Sequence, residues 1–223
     1  ISQARCKCVV ALLRAYFFLM KKIMFNDKYG LTQAVLEGRK TQTRRIIKLK
    51  EELIRDFQLY YYNNTFDFLE CLDLIDCYYA NNYEKVPFKI CEVVAIAQSY
   101  NDIHEEVKNE TLEMLDLYCS KGWNNKMFVR SEIMPHQIRI TNVRIQLLQD
   151  ISNEDCLKEG VVKCDAEDCN NRCYLMSKCD FCHCGNSKYT PREAYASLID
   201  KVSGKGTWDS NPYVFVYDFE LVK

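Results

Sequence analysis

The sequence is poor in the residues that break chains. Seven glycines and four prolines among 223 residues exclude a fibrous polymer and argue against a disordered one. Charge of one sign is missing too. Thirty Lys and Arg stand against 31 Asp and Glu, a net charge of −1, so no global field draws the chain to nucleic acid or to a membrane surface. Neither a secretory signal nor a spanning helix is convincing at residues 1–19, "ISQARCKCVVALLRAYFFL", because Arg14 interrupts the apolar stretch. That segment is expected to be a peripheral extension or upstream translated sequence, with "MKKIMF" from Met20 the more natural start. No internal repeat and no low-complexity linker is found.

What is present suffices for a core. The hydrophobic share is 48% and the aromatic share 13%, enough for one sizeable domain with insertions or for two small ones. Thirteen cysteines are an odd number without the spacing of a disulfide framework. Isolated ones such as Cys91, inside an apolar run, are expected to be small buried hydrophobes. A reducing, cytoplasmic compartment and no membrane partner are the expectations.

Local patterning predicts both strands and helices. "GLTQAVLEG" sets Leu31, Ala34 and Val35 on one helical face and stops at Gly38. "ICEVVAIAQ" (90–98), "MFVR" (127–130) and "HQIRITNVRIQLL" (136–148) read as strands. In the last, Ile138 and Ile140 alternate, and then the phase shifts to Val143, Ile145 and Leu147. Such a shift predicts a bulge that curves a sheet. "YVFVYDFELV" alternates as a half-buried strand. Ser152 and Thr190 are predicted caps. Asp155 follows the first and Glu193 the second at the capping-box spacing, and Pro191 occupies the first helical position. The residues together predict a single α+β domain on a small, mixed, curved sheet. Insertions are expected at about 49–86, 101–121 and 163–188, the first two helical.

One stretch concentrates chemistry. "EGRKTQTRRIIK" crowds Arg39, Lys40, Thr43, Arg44, Arg45 and Lys48 behind the first helix. On the residues alone these are solvated cations, phosphate contacts or parts of a catalytic turn. Together with "CEVVAIAQSY", "IRITNVRIQLLQDISNEDCLKEGV" and "GKGTWDSNPYVFVYDFELV", in that order, it resembles the ASCH domain, especially the versions found in phages and prophages. The resemblance covers about residues 20–48, 88–100, 123–162 and 189–223. It implies a PUA-like mixed β-barrel with flanking helices.

The resemblance also implies an activity. Related bacterial amidohydrolases remove the acetyl group from N(4)-acetylcytidine, and their "GRKTxTxR" turn matches Lys40, Thr43 and Arg45. Their catalytic glutamate falls at Glu159, with Glu154 and Asp155 as neighbouring acids in the same helix. Hydrolysis of an amide needs a nucleophile, a base and a proton donor. Thr43 would attack, Lys40 would take its proton, and Glu159 would protonate the leaving nitrogen or orient Lys40. Arg45 would hold a phosphate, a carbonyl or Glu159. The competing expectation is a binding module for RNA or a modified nucleoside, with Arg39, Lys40, Arg44, Arg45 and Lys48 on phosphates. Trp123 or Phe128 would then stack on a base, although Phe128 reads better as a core or rim residue. Trp208 reads as packing.

The second unusual stretch lies outside that pattern. Cys164, Cys169, Cys173, Cys179, Cys182 and Cys184 fall close together with His183, and "CDFC" has the spacing of a two-ligand zinc hairpin. A structural zinc using Cys179, Cys182 and two others is one expectation, a surface insertion of reduced thiols the other. No cofactor is expected for the chemistry.

Overall fold

The computed structural model describes residues 20–47, 86–107, 117–164, 173–175 and 190–222. Seven strands are found there: β1 (Lys22–Ile23), β2 (Gln42–Ile46), β3 (Val93–Ile96), β4 (Gln137–Leu147), β5 (Val162–Lys163), β6 (Tyr174–Leu175) and β7 (Tyr213–Val222). The helices are α1 (Leu31–Leu36), α2 (Tyr100–Val107), α3 (Asn153–Lys158), α4 (Pro191–Ser203) and α5 (Thr207–Ser210). Among the described residues, no helix is long and apolar enough to cross a membrane.

Five strands form one mixed sheet in the order β1-β3-β4-β7-β2, and β5 pairs with β6 separately. Only β1 and β3 run parallel; the other pairs of the large sheet are antiparallel. The β4–β7 ladder shifts register between Ile140 and Asn142. That is the bulge the change of phase in "IRITNVRI" predicts, since one extra residue turns the following side chains to the other face. The mixed α+β class is as expected. A closed barrel is not formed among the described residues, because β1 and β2 end the sheet without pairing to each other.

The main core fills between the sheet and its helices, with Val94, Ile96, Ile138, Ile140, Val214 and Val216 at its centre. Ala194, Tyr195, Leu198 and Ile199 bring one face of α4 against it. Thr190 caps α4 in a complete capping box with Glu193. Ser152 caps α3 by accepting the Asp155 N–H, and Ile151 and Cys156 on either side of it are both buried in the core. Trp208 packs edge-on to Tyr195, ring centres 6.2 Å apart, as its packing role predicts.

Three local expectations are corrected. "MFVR" is not a strand: Lys126–Phe128 is a 3-10 turn, because the Asn125 side chain accepts the Met127 N–H and caps it. Phe128, expected as a core or rim residue, is 52% exposed. The strand expected over 90–98 is confined to Val93–Ile96. Cys91, just before it, is exposed and left-handed at φ 65°. Its N–H still reaches the Ile140 carbonyl at 2.8 Å, so a turn rather than a buried strand holds it. The insertion at 49–86 is described only at Val86, and that at 163–188 only at 163–164 and 173–175.

Candidate functional site

The loop after α1 is fixed on three sides. Gly38 takes the left-handed φ of 71° that ends the helix. The Arg39 and Lys40 N–H groups both donate to the Ala34 carbonyl at 2.9 Å. Thr41 then donates to the Lys158 carbonyl at 3.0 Å and accepts from Phe219 N–H at 2.9 Å. The end of α1, the end of α3 and β7 therefore meet at this loop. Glu159 is the C-cap of α3, so the same docking that holds Thr41 carries Glu159 to Lys40.

Lys40 is 2% exposed and Glu159 4%. The Lys40 Nζ donates to Glu159 Oε2 at 2.6 Å, to the Glu159 carbonyl at 2.7 Å and to the Gln42 carbonyl at 2.7 Å. Three acceptors use all three ammonium protons, which fits a charged lysine at rest. Burial is nevertheless the largest influence, and the pKa of Lys40 lies below its ordinary 10.5. Glu159 pulls it back up, while Arg45 and Arg44 add to the lowering.

The other oxygen of the carboxylate belongs to Arg44. Its Nη1 donates to Glu159 Oε1 at 3.0 Å, and its Nη2 to Asp155 Oδ2 at 3.1 Å. Gln42 Oε1 accepts from the same Nη1, and Gln42 Nε2 donates to Asp218 Oδ1 at 2.6 Å. Arg144 closes the network, at 2.9 Å from Asp155 and 2.6 Å from Asp218. Arg44 is thus a buried structural cation, not the outer phosphate contact the sequence suggested. Its guanidinium sits inside because two acids from α3 were waiting there.

A cavity of about 740 Å³ opens beside this cluster and is lined by Lys40, Thr43, Arg44, Arg45 and Glu159. Its opposite walls come from Met24, Phe25, Tyr195 and Leu198. That is within the usual size of a small-molecule site. The three residues of the expected catalytic set therefore line one space, although Lys40 and Glu159 are 119 positions apart. Thr43 is 5% exposed and lies in β2 opposite Tyr217, on a strand rather than in the turn. Arg45 reaches the Met24 carbonyl at 2.6 Å.

Other expected residues are elsewhere. Arg39 pairs with Glu37 at 2.6 Å and does not line the cavity. Trp123 packs edge-on to Tyr118 at 4.9 Å and beside His104 at 5.8 Å, within a second apolar cluster; it does not line the cavity either. Lys48, Cys169, Cys179, Cys182 and Cys184 lie outside the described residues. Cys164 and Cys173 are buried and joined across a hairpin, Cys164 N–H to the Cys173 carbonyl at 2.9 Å. Among the described residues, no group of three His, Cys, Asp or Glu side chains is placed to hold a metal.

Sequence reasoning missed Phe25 and Tyr195. Nothing near Phe25 marks it. Tyr195 was legible only as one of the apolar positions of α4, and apolar spacing does not say that a residue borders a cavity. Comparison of the chain with protein-family models, curated proteins and solved structures returns no match.

Proposed function

We propose that this cavity hydrolyses the amide of an N-acylated cytidine or a similar acylated nucleoside, and that the chain is an ASCH-type protein with a PUA-like fold. The observation that carries the reading is the meeting of Lys40, Thr43 and Glu159 at one cavity. The bulged β4 strand supports the fold, since bulges bend sheets toward barrels.

The chemistry follows from the ion pair. Passage of one proton from Lys40 to Glu159 across their 2.6 Å contact yields a neutral amine beside a carboxylic acid. The Thr43 hydroxyl attacks the acyl carbon, and its proton goes to Lys40. Glu159 gives its proton to the nucleoside nitrogen as the carbon–nitrogen bond breaks, which restores the ion pair. The passage of a proton from Lys40 to Glu159 is repeated, and a water then attacks the acyl-threonine. Its proton goes to Lys40, Glu159 reprotonates the threonine oxygen, and the acid leaves. The depressed pKa of Lys40 makes the first proton passage less costly than it would be in water.

Two of the cations that the RNA-binding alternative would use are already paired, Arg44 with Glu159 and Asp155, and Arg39 with Glu37. Incubation with a panel of N-acylated cytidines, with products followed by chromatography, tests the reading. Free nucleoside is expected from the native chain and none from Thr43→Ala. No release from any panel member, or equal release by the variant, overturns it.

A further inference from the structure

Two cations lining the cavity, Arg45 and the exposed Lys28, form no ion pair among the described residues, and Arg45 is the one drawn partly out of solvent. Lys40 meets Glu159, Arg44 is divided between Glu159 and Asp155, Arg144 bridges Asp155 and Asp218, and Lys126 holds Asp27. Arg45 lines the same cavity but forms no ion pair among the described residues. Nη2 donates to the Met24 carbonyl at 2.6 Å, and the buried Nε has no partner among the described residues. The guanidinium lies 5.8 Å from the centre of the Phe25 ring. Its Nε is shut off from water without a partner, a costly state for a polar group, while the side chain as a whole stays partly exposed. Burial lowers its pKa from the ordinary 12.5, and the charge of Glu159 partly opposes that. A planar fork in such a position fits a carboxylate.

We propose that Arg45 forms a carboxylate-binding subsite, which receives the acid half of the hydrolysed substrate. The proposal rests on the hydrolytic reading for the source of that acid. Two features favour a small monocarboxylate over a phosphate. Of the two unpaired cations only Arg45 is drawn out of solvent, Lys28 being exposed, and the cavity walls include the apolar side chains of Phe25, Met24 and Leu198. Thr43 and Arg45 stand two positions apart in β2, so the pleat turns them to the same face, about 6–7 Å apart along the strand.

The charge changes where Arg45 can answer it. Before reaction the acyl group is a neutral amide. In the last step the water oxygen bonds to the acyl carbon, the bond from that carbon to the Thr43 oxygen breaks, and Glu159 returns a proton to threonine. The released acid loses its proton to solvent and becomes an anion beside the guanidinium. Arg45 then holds the product more tightly than the substrate's acyl group, so acetate is a product inhibitor of an acetyl-directed reaction.

Saturation-transfer NMR on the methyl protons of acetate, with the full chain and no nucleoside present, tests this directly. Inorganic phosphate is added in parallel as a competitor. Acetate is expected to bind saturably at millimolar concentration, to weaken at least tenfold in Arg45→Met, and to keep part of its affinity in Arg45→Lys. The lysine variant keeps the comparison usable if the methionine variant does not fold, as judged by its melting curve. No acetate signal from the native chain, equal binding in every folded variant, or tighter binding of phosphate overturns the subsite. Acetate binding without hydrolysis of any acylated cytidine removes the hydrolytic reading and keeps the subsite. Hydrolysis without acetate binding does the reverse.

Discussion

Lys40 Nζ and Glu159 Oε2 stand 2.6 Å apart with almost no exposed surface on either side chain. A buried pair of this kind offsets the desolvation of both charges only while both are present. Removal of one partner leaves the other without its counter-charge. Lys40→Met and Glu159→Leu are each expected to destabilise the chain by about 3–5 kcal/mol. The double variant should lose clearly less than the sum, because no unmatched lysine or glutamate remains from the pair. Urea unfolding of the four proteins measures the coupling, and strict additivity would contradict it.

The alkaline side of the rate profile belongs to Lys40. Its base role needs the neutral amine, and burial, partly opposed by Glu159, sets its pKa below 10.5. In the proposed hydrolysis the proton that Lys40 passes to Glu159 is the one the leaving nitrogen receives, so its loss to solvent should make the rate fall as pH rises through an inflection below 10.5. A flat profile from neutral pH to pH 10 would remove Lys40 as the base. Thr43→Ala supplies the background rate at each pH.

On the acid side the responsive group is Asp155. Burial pushes its carboxyl up, but hydrogen bonds from Lys158 and Arg44 and the charges of Arg44 and Arg144 outweigh that and leave it below the ordinary 3.8. Between the folded and the unfolded pKa, the unfolded chain binds more protons. Its contribution to stability is therefore complete above 3.8 and disappears as pH falls through the lower folded value. Asp155→Asn should show a shallower loss of stability in that window than the native chain. Parallel slopes in acid denaturation would count against the shift.

Gly160 tests the placing of Glu159 without replacing a charged group. Its φ is 104°, and a Cβ there would stand 3.2 Å from Leu31 Cδ2 and 3.7 Å from Lys40 Cδ. Gly160→Ala is expected to cost about 1–3 kcal/mol through backbone strain. It should also lower the deacylation rate by disturbing the C-cap that carries Glu159. Native stability and native rate together would show that this glycine is dispensable.

Local signals were the legible ones. The cap at Thr190, the stop at Gly38 and the phase change from Ile140 to Val143 each depend on a few adjacent residues, and each is present in the fold. "MFVR" failed because its four residues cannot outweigh a cap two positions upstream at Asn125. The burial of Arg44 was illegible for a different reason. A guanidinium beside other cations reads as surface until Asp155 and Glu159, more than a hundred positions later, are known to face it. The resemblance brought Lys40, Thr43 and Glu159 together on paper, but could not say that Arg44 would share the same carboxylate.

The place of β7 gives the site a timetable. It lies between β4 and β2, and among the described residues it is the only strand that pairs with β2. As the chain leaves the ribosome, β2 emerges early and has no strand to join until Tyr213–Val222 follows. Lys40 and Thr43 are therefore synthesised long before β7, and the β2 wall of the cavity has its strand partner only once β7 is in place. A nascent or interrupted chain that stops short of β7 carries Lys40, Thr43 and Glu159 but lacks the strand with which β2 pairs.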